Sequence, residues 1–325
     1  MKPKIFITHT IPDRGINMLM ENFIIEFNNK NGILDKKTLI EKSLDKDAIL
    51  SLLSDNIDAE VINSCKNLKI ISNYAVGYNN IDLKAATEKG IYVTNTPRTL
   101  DETTADFIFA LILSISRRVV ESDKFMRSGQ YRGWGAMDFL GLDVYNSTLG
   151  IVGMGNIGKA VGRIAYYGFL MKVLYSDKFI DAKQLKFSAQ NTDLDTLLRE
   201  SDFVTLNVPL KEDTYHLIGD RELSLMKKTA YLINTSRGPV VDEKALYNAL
   251  KERKIAGAAI DVYENEPRFT EGLEKLDNIV MTSHIASATI QTRQLMSYKA
   301  AQNIIDFFNG KEPEGLVNRD VLKRK

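Results

Sequence analysis

Three histidines occur in 325 residues, and one of them, His284, stands just past a short apolar run, Ile279 to Thr282, that reads as a buried strand. Imidazole is the side chain whose unperturbed charge change falls near neutral pH, so His284 is the acid/base candidate. A neighbouring carboxylate favours the protonated form of such a ring, and two acids offer themselves, Glu264 and Glu266. Pro267 restricts Glu266 to extended backbone, which would help hold it as a fixed partner. Glu264 also reads as a solvated loop acid, and spacing alone leaves the choice open. Arg237 follows a strand-like run and precedes Gly238. Its guanidinium fork suits a planar carboxylate, although a surface arginine capping a strand end shows the same pattern. His9 ends the first strand and reads as structural. His216, in a loop after Thr214, reads as solvated or packing.

A second constellation is Leu149-Gly150-Ile151-Val152-Gly153-Met154-Gly155-Asn156-Ile157-Gly158. It reads as a buried strand running into a glycine-rich turn and then into a helix, Lys159 to Tyr167. Gly153 permits the tight turn, Gly155 lets backbone approach a pyrophosphate, and Gly158 lets the helix pack on its strand. The helix N-terminus offers free N–H groups and a positive dipole end to phosphates. The next strand, Lys172 to Ser176, ends at Asp177, 19 residues past Gly158. That offset suits the acid that bonds a ribose 2′-OH. A carboxylate there repels a 2′-phosphate, so the expected cofactor is NAD(H) rather than NADP(H), with Lys172 and Lys178 nearby as opposing charges.

These groups must be carried by alternating strands and helices. The first 100 residues read as a small parallel α/β unit: strands at Lys4–Thr8, Phe23–Phe27, Ala48–Leu53, Leu68–Ser72 and Ile91–Thr94, with helices at Ile16–Met20, Lys36–Leu44, Ala59–Cys65 and Ile81–Lys89. Thr103 to Arg118 is a helix apolar around much of its surface, expected to be buried between domains or subunits. Gly129 to Asp143 reads as a loop. After Asp177 come helices at Leu194–Glu200, Glu222–Lys227 and Asp242–Arg253, strands at Phe203–Val208, Tyr231–Asn234, Ala258–Val262 and Ile279–Thr282, and a long helix, Ala288–Asn309. In doubly wound sheets, ligands sit beyond the carboxyl ends of the strands. The segments to inspect are therefore Ala75-Val76-Gly77-Tyr78, Asn234 to Gly238, Asp261 to Pro267, and Ser283-His284. Asp261 could orient a nicotinamide amide or cap its turn.

Bulk properties narrow the classes. The length suits two domains, and 44% hydrophobic residues is ordinary for a globular protein. A net charge of +1 builds no field for nucleic acid or a membrane surface. The single Cys65 excludes an internal disulfide and fits a reducing compartment. The first residues lack the apolar segment of a signal peptide, and Phe107 to Ile115 is too short to span a bilayer. A cytoplasmic location is expected, and no metal site is evident.

Four segments together carry a resemblance: Gly153 to Gly158; Asn234-Thr235-Ser236-Arg237-Gly238-Pro239-Val240-Val241-Asp242-Glu243; Asp261-Val262-Tyr263-Glu264-Asn265-Glu266-Pro267; and Ser283-His284-Ile285-Ala286-Ser287-Ala288-Thr289. Their order and spacing resemble the D-isomer-specific 2-hydroxyacid dehydrogenase family over nearly the whole chain, most weakly in the first ~60 residues. Thr104-Ala105-Asp106-Phe107 is similar to the version in glyoxylate/hydroxypyruvate reductase and 2-ketogluconate reductase members. The resemblance implies Arg237, Glu266 and His284 as the catalytic set, choosing Glu266 over Glu264. It gives the Val76 and Gly77 amides a part in holding a substrate carboxylate together with Arg237. The expected cofactor contacts are Gly153, Gly155, Asn156, Ile157, Gly158, Asp177, Val208, Pro209, Thr214, Thr235, Asp261 and Ala286.

The implied architecture is α/β, two doubly wound parallel-sheet domains with a cleft between them. A flavodoxin-like substrate domain would comprise 1–100 and 290–325, and a Rossmann cofactor domain 101–289. Two departures stand out: Leu170 where the family often has Gly, and Asn79 where it often has Asp. With so little sequence after the final helix, the regulatory C-terminal domain that many members of the family carry is not expected here. The implied reaction interconverts a small 2-keto acid and its D-2-hydroxy acid, with hydride from nicotinamide and a proton from His284. Loop residues Asn73, Tyr74, Trp134 and Met137 would decide which keto acid fits. A homodimer is expected through the Thr103–Arg118 helix and the Gly129–Asp143 loop. The alternative is an NAD(H)-sensing, corepressor-like protein without significant turnover. A methyltransferase would leave Arg237, Glu266 and His284 without a task.

Overall fold

The computed structural model describes residues 2–28 and 32–324. It divides into two compact units, one formed by the chain up to Leu100 together with the segment from Ala288, the other by Asp101–Ser287.

In the first unit β1 (Lys4–Ile7), α1 (Asp13–Met20), β2 (Ile24–Phe27), α2 (Lys36–Ser43), β3 (Ala48–Ser51), α3 (Ala59–Ser64), β4 (Ile70–Asn73), α4 (Leu83–Glu88) and β5 (Tyr92–Thr94) alternate. The sheet is parallel in the order β2-β1-β3-β4-β5. Its central strands are short continuous apolar runs, as burial on both faces requires. Successive side chains alternate between faces: Ile5, Ile7 and Leu50 enter one core, Phe6, Ile49 and Ile71 the other. Asp35, Asp58 and Asp82 cap α2, α3 and α4 by accepting backbone N–H groups. The cap explains why α4 starts after Asp82 and not at Ile81.

The second unit opens with α5 (Asp101–Ser116) and α6 (Val119–Arg127), then β6 (Thr148–Val152), α7 (Asn156–Phe169), β7 (Lys172–Ser176), β8 (Gln190–Asn191), α8 (Leu194–Glu200), β9 (Phe203–Leu206), α9 (Asp220–Leu225), β10 (Tyr231–Asn234), α10 (Glu243–Lys251), β11 (Gly257–Ile260) and β12 (Ile279–Met281). The seven-stranded parallel sheet runs β12-β11-β10-β9-β6-β7-β8. Strand order therefore reverses between β6 and β9, which is where a doubly wound sheet opens a ligand crevice. α5 is apolar on many sides because α7 and strands β10 and β11 of its own unit cover it: Ala105, Ile108, Phe109, Leu111, Ile112 and Ile115 are all buried in one core cluster. It is a core helix of this unit. α6 and the two-residue β8 had no counterpart in the sequence pattern. The break between α5 and α6 falls at Arg118, in the left-handed region at φ 54°, with its guanidinium on Glu121 at 2.6 and 3.2 Å.

The chain then returns to the first unit as α11 (Ile290–Phe308), capped by the Thr289 hydroxyl. Met296, Ala300, Ala301 and Ile304 join the core formed by Ile5, Ile7, Leu19 and Leu50. The Ser72 hydroxyl donates to Ala300 O at 2.8 Å, and Gly15 N donates to Ser297 Oγ at 3.0 Å. No helix among the described residues is long and apolar enough to cross a membrane.

Candidate active site

The second unit places Arg237, Glu266 and His284 beyond the carboxyl ends of β10, β11 and β12. Asn234 folds the turn after β10: its Oδ1 accepts from Ser236 N and Oγ at 3.0 and 2.8 Å, and its amide donates to Arg237 O at 3.0 Å. Arg237 is half-buried and donates from Nη1 to Ser236 O at 2.6 Å. Burial lowers its pKa, and the Glu266 charge opposes that shift.

After β11, Asp261 is fully buried and accepts three hydrogen bonds, from Thr282 Oγ1 (2.7 Å), Ile285 N (2.8 Å) and Ala286 N (2.8 Å). Of the two roles open to it, capping is the one these bonds display: the carboxylate holds the turn that carries His284. That histidine sits at φ 55°, a conformation costing a β-carbon residue about 1 kcal/mol, kept because the surrounding bonds fix it. Its Nδ1 lies 3.0 Å from Glu266 Oε2, and about a third of each side chain is exposed (37%). With Nδ1–H donating to the carboxylate, Nε2 is the nitrogen left for chemistry. Glu266 Oε1 accepts from Tyr263 N at 3.1 Å. Burial raises the Glu266 pKa, but the His284 hydrogen bond and charge, the Tyr263 N–H and Arg237 together bring it below the ordinary value. Tyr263 donates to Thr282 O at 2.7 Å, joining the Glu266 loop to the end of β12. Its phenol is pushed up to about 12 by burial and by Asp261, Glu243 and Glu266.

Glu264 is not a solvated loop acid. Its Oε1 lies 2.9 Å from His216 Nε2, and its Oε2 accepts from Glu243 N at 3.3 Å. His216 is therefore a tethered ring, also stacked on Tyr215 at 4.0 Å. His9, in the first unit, meets the buried Asp55 at 3.1 Å.

The glycine turn has the geometry a pyrophosphate needs. Gly153 adopts φ 91°, and a Cβ on Gly158 would stand 2.2 Å from Gly153 O. A Cβ on Gly155, in contrast, would meet nothing within 4 Å, so backbone is open there. Gly155 is the N-cap of α7, which begins at Asn156, three residues before the expected Lys159. The amides of Asn156, Ile157 and Gly158 thus lie in the first turn, where no helical carbonyl is available to them. Asp177 accepts from Met154 N at 2.8 Å, Phe179 N at 2.7 Å and Ile180 N at 3.1 Å, so it also braces the turn. Val208 follows β9 beside Gly153, and the Thr214 hydroxyl bonds the carbonyl of the next residue, Pro209, at 2.7 Å. Thr235 follows β10, and Ala286 is buried on the Asp261 carboxylate. In the first unit, the Val76–Gly77 loop is held from behind, with Asn95 and Asn73 each donating to its carbonyls at 2.8 Å. Among the described residues no group of three His, Cys, Asp or Glu is arranged to hold a metal.

Residues 109–286 match the model of the D-isomer specific 2-hydroxyacid dehydrogenase, NAD binding domain. A glyoxylate reductase of Korarchaeum cryptofilum is 51% identical over 99% of this chain and 98% of its own length. The chain belongs to the D-isomer-specific 2-hydroxyacid dehydrogenase family. It is an enzyme, an oxidoreductase between 2-keto and 2-hydroxy acids, and the sensor alternative is not favoured. A solved Thermus thermophilus protein superposes with a TM-score of 0.91 at 38% identity, covering 97% of this chain and 99% of that one. An NADPH-dependent glyoxylate/hydroxypyruvate reductase of Sinorhizobium meliloti, in complex with NADP and malonate, has a TM-score of 0.85 at 29% identity, covering 98% of this dehydrogenase and 97% of that chain. Glu243 and Asn95 are supporting residues of this dehydrogenase that pattern reading missed, and only the adjacency of Glu243 to the cap Asp242 hinted at either. Asn73 and Tyr74, expected as loop residues that select the keto acid, are instead buried, Asn73 at the end of β4 with its amide on Gly77 O and Tyr74 with its hydroxyl on Arg293 O.

Proposed function

We propose that this dehydrogenase reduces a small 2-keto acid of the glyoxylate/hydroxypyruvate class to its D-2-hydroxy acid, with Arg237, Glu266 and His284 as its catalytic set. The supporting observation is the His284–Glu266 contact of 3.0 Å at the carboxyl edge of the sheet, with Arg237 close enough for its charge and that of Glu266 to act on one another. Bound nicotinamide supplies the hydride. Arg237 holds the substrate carboxylate and polarises the keto oxygen. In the first unit, the Val76–Gly77 loop, fixed by Asn73 and Asn95, supplies the backbone amides that the family resemblance assigns to a carboxylate. His284 Nε2 gives its proton to the developing alkoxide while Glu266 keeps the ring oriented through Nδ1. Gly153 to Gly158 hold the pyrophosphate. Asp177 takes the ribose, Thr235, Val208, Pro209 and Thr214 form the rest of the wall, and Asp261 acts through the turn it caps. Asp177 also favours NAD(H) over NADP(H).

The test is a panel of glyoxylate, hydroxypyruvate, pyruvate and 2-ketogluconate with NADH. His284→Ala is expected to lower kcat by on the order of a hundredfold or more with NADH binding retained. Near-normal turnover by that variant removes His284 from the mechanism. Silence of the wild-type chain on the whole panel removes the substrate class.

We also propose a cytoplasmic homodimer. Val119, Met126, Tyr131, Trp134, Met137 and Leu140 leave large apolar side chains exposed along one segment. Light scattering that finds a monomer at micromolar concentration contradicts it.

A further inference from the structure

The mechanism above makes no use of Glu243, an acid with 4% of its surface exposed at the first position of α10. A buried carboxylate needs donors. These are backbone amides: Oε2 accepts from Glu264 N at 3.0 Å, and Oε1 accepts a short bond from Thr270 N. Those two amides bracket Glu266 in the chain. One rigid group on a helix thus holds both ends of the segment that presents the acid to His284. The tie is reciprocal, because Glu264 Oε2 accepts from Glu243 N, and the other oxygen of Glu264 is anchored on His216. At the segment's tip, Arg268 N bonds Asn265 O at 2.9 Å, a local closure that fixes the loop's shape but not its place.

We propose that Glu243 is a positioning residue that sets Glu266 against Nδ1 of His284. The inference rests on the reading of Glu266 and His284 as the orienting acid and the proton donor. Glutamine at 243 keeps the shape but has one acceptor oxygen where two amides must be met, so its NH2 faces a donor. Alanine frees both ends. An orienting group displaced by an ångström costs as much as a hundredfold in rate.

The experiment measures kcat, glyoxylate KM and NADH Kd for E243Q, E243A, E266Q, H284A and the E243Q/E266Q double variant, with circular dichroism melts on each. E243Q is expected to lower kcat by about tenfold and E243A by more, with NADH Kd within about twofold of wild type. If Glu243 acts through Glu266, adding E243Q to E266Q costs no further kcat, a non-additivity that a general loosening of the fold would not produce. Additive losses, an E243Q enzyme with normal kcat, or an E243Q chain that does not fold would each overturn the proposal. Near-normal turnover in H284A and E266Q would instead overturn the site reading on which it rests. Impaired H284A and E266Q beside a normal E243Q would remove Glu243 alone.

Discussion

At the residue scale, Asp177 joins a proposed ribose contact to an observed brace on the glycine turn, and together they predict a two-sided variant. Its carboxylate stands at the end of β7, where it would meet the ribose, and it also accepts from the Met154, Phe179 and Ile180 amides. Asp177→Ser removes the charge that repels a 2′-phosphate but loosens the brace on the glycine turn. The ratio of kcat/KM for NADPH to that for NADH should rise by tenfold or more, on the order of 1.4 kcal/mol, while kcat/KM for NADH itself falls. A wild-type enzyme that already prefers NADPH contradicts the reading at its root. Arg237, His284 and the glycine turn were legible because each follows a strand end and has chemistry its neighbours lack. Spacing alone left Glu264 and Glu266 open and only the family resemblance chose Glu266, since both lie in one loop whose fold sends Glu264 to His216 and Glu266 to His284. Glu243 was invisible for a similar reason: its partners are backbone amides 21 and 27 residues away.

At the element scale, the sequence announced helices best where an acid or hydroxyl caps them, as at Asp35, Asp58, Asp82, Asp193, Asp242 and Thr289. It announced them worst where the backbone turns on a residue not built for it. Arg118 breaks α5 from α6 without glycine or proline, and Leu170 ends α7 at φ 48°, ψ 33°. Glycine is the usual residue at such a helix end, which accords with the glycine that the family resemblance leads one to expect in place of Leu170. Leu170 pays about 1 kcal/mol for that conformation and has 55% of its surface exposed, so its side chain contributes little to the core. Leu170→Gly relieves the strain but adds freedom to the unfolded chain, worth about 0.5 kcal/mol in the other direction. The expected outcome is a net gain of about 0.5 kcal/mol and a Tm higher by about 1–2 °C in calorimetry. A lower Tm would mean that the exposed leucine packs to more effect than its exposure suggests.

At the scale of the molecule, the chain interrupts its first unit to build the second, and the two need not be equally self-sufficient. Both core clusters of Asp101–Ser287 draw only on residues inside that span. The first unit, by contrast, takes Met296, Ala300, Ala301, Ile304, Leu316 and Val321 from the far end of the chain, and β5 is joined to that end through Val93 N on Asn318 Oδ1 at 2.8 Å. Each large apolar side chain withdrawn from such a core removes about 1.5–3 kcal/mol. Losing several exceeds the 5–15 kcal/mol that typically holds a domain together. Residues 101–287 expressed alone should therefore melt cooperatively and quench or shift NADH fluorescence on binding, whereas residues 1–100 alone should show no cooperative melt by circular dichroism. Adding the 288–325 segment to 1–100 through a short linker should restore one. A 1–100 fragment that melts cooperatively would show that one face of its sheet can dispense with α11. A 101–287 fragment that folds but ignores NADH would move the nucleotide contacts outside the unit that carries the glycine turn.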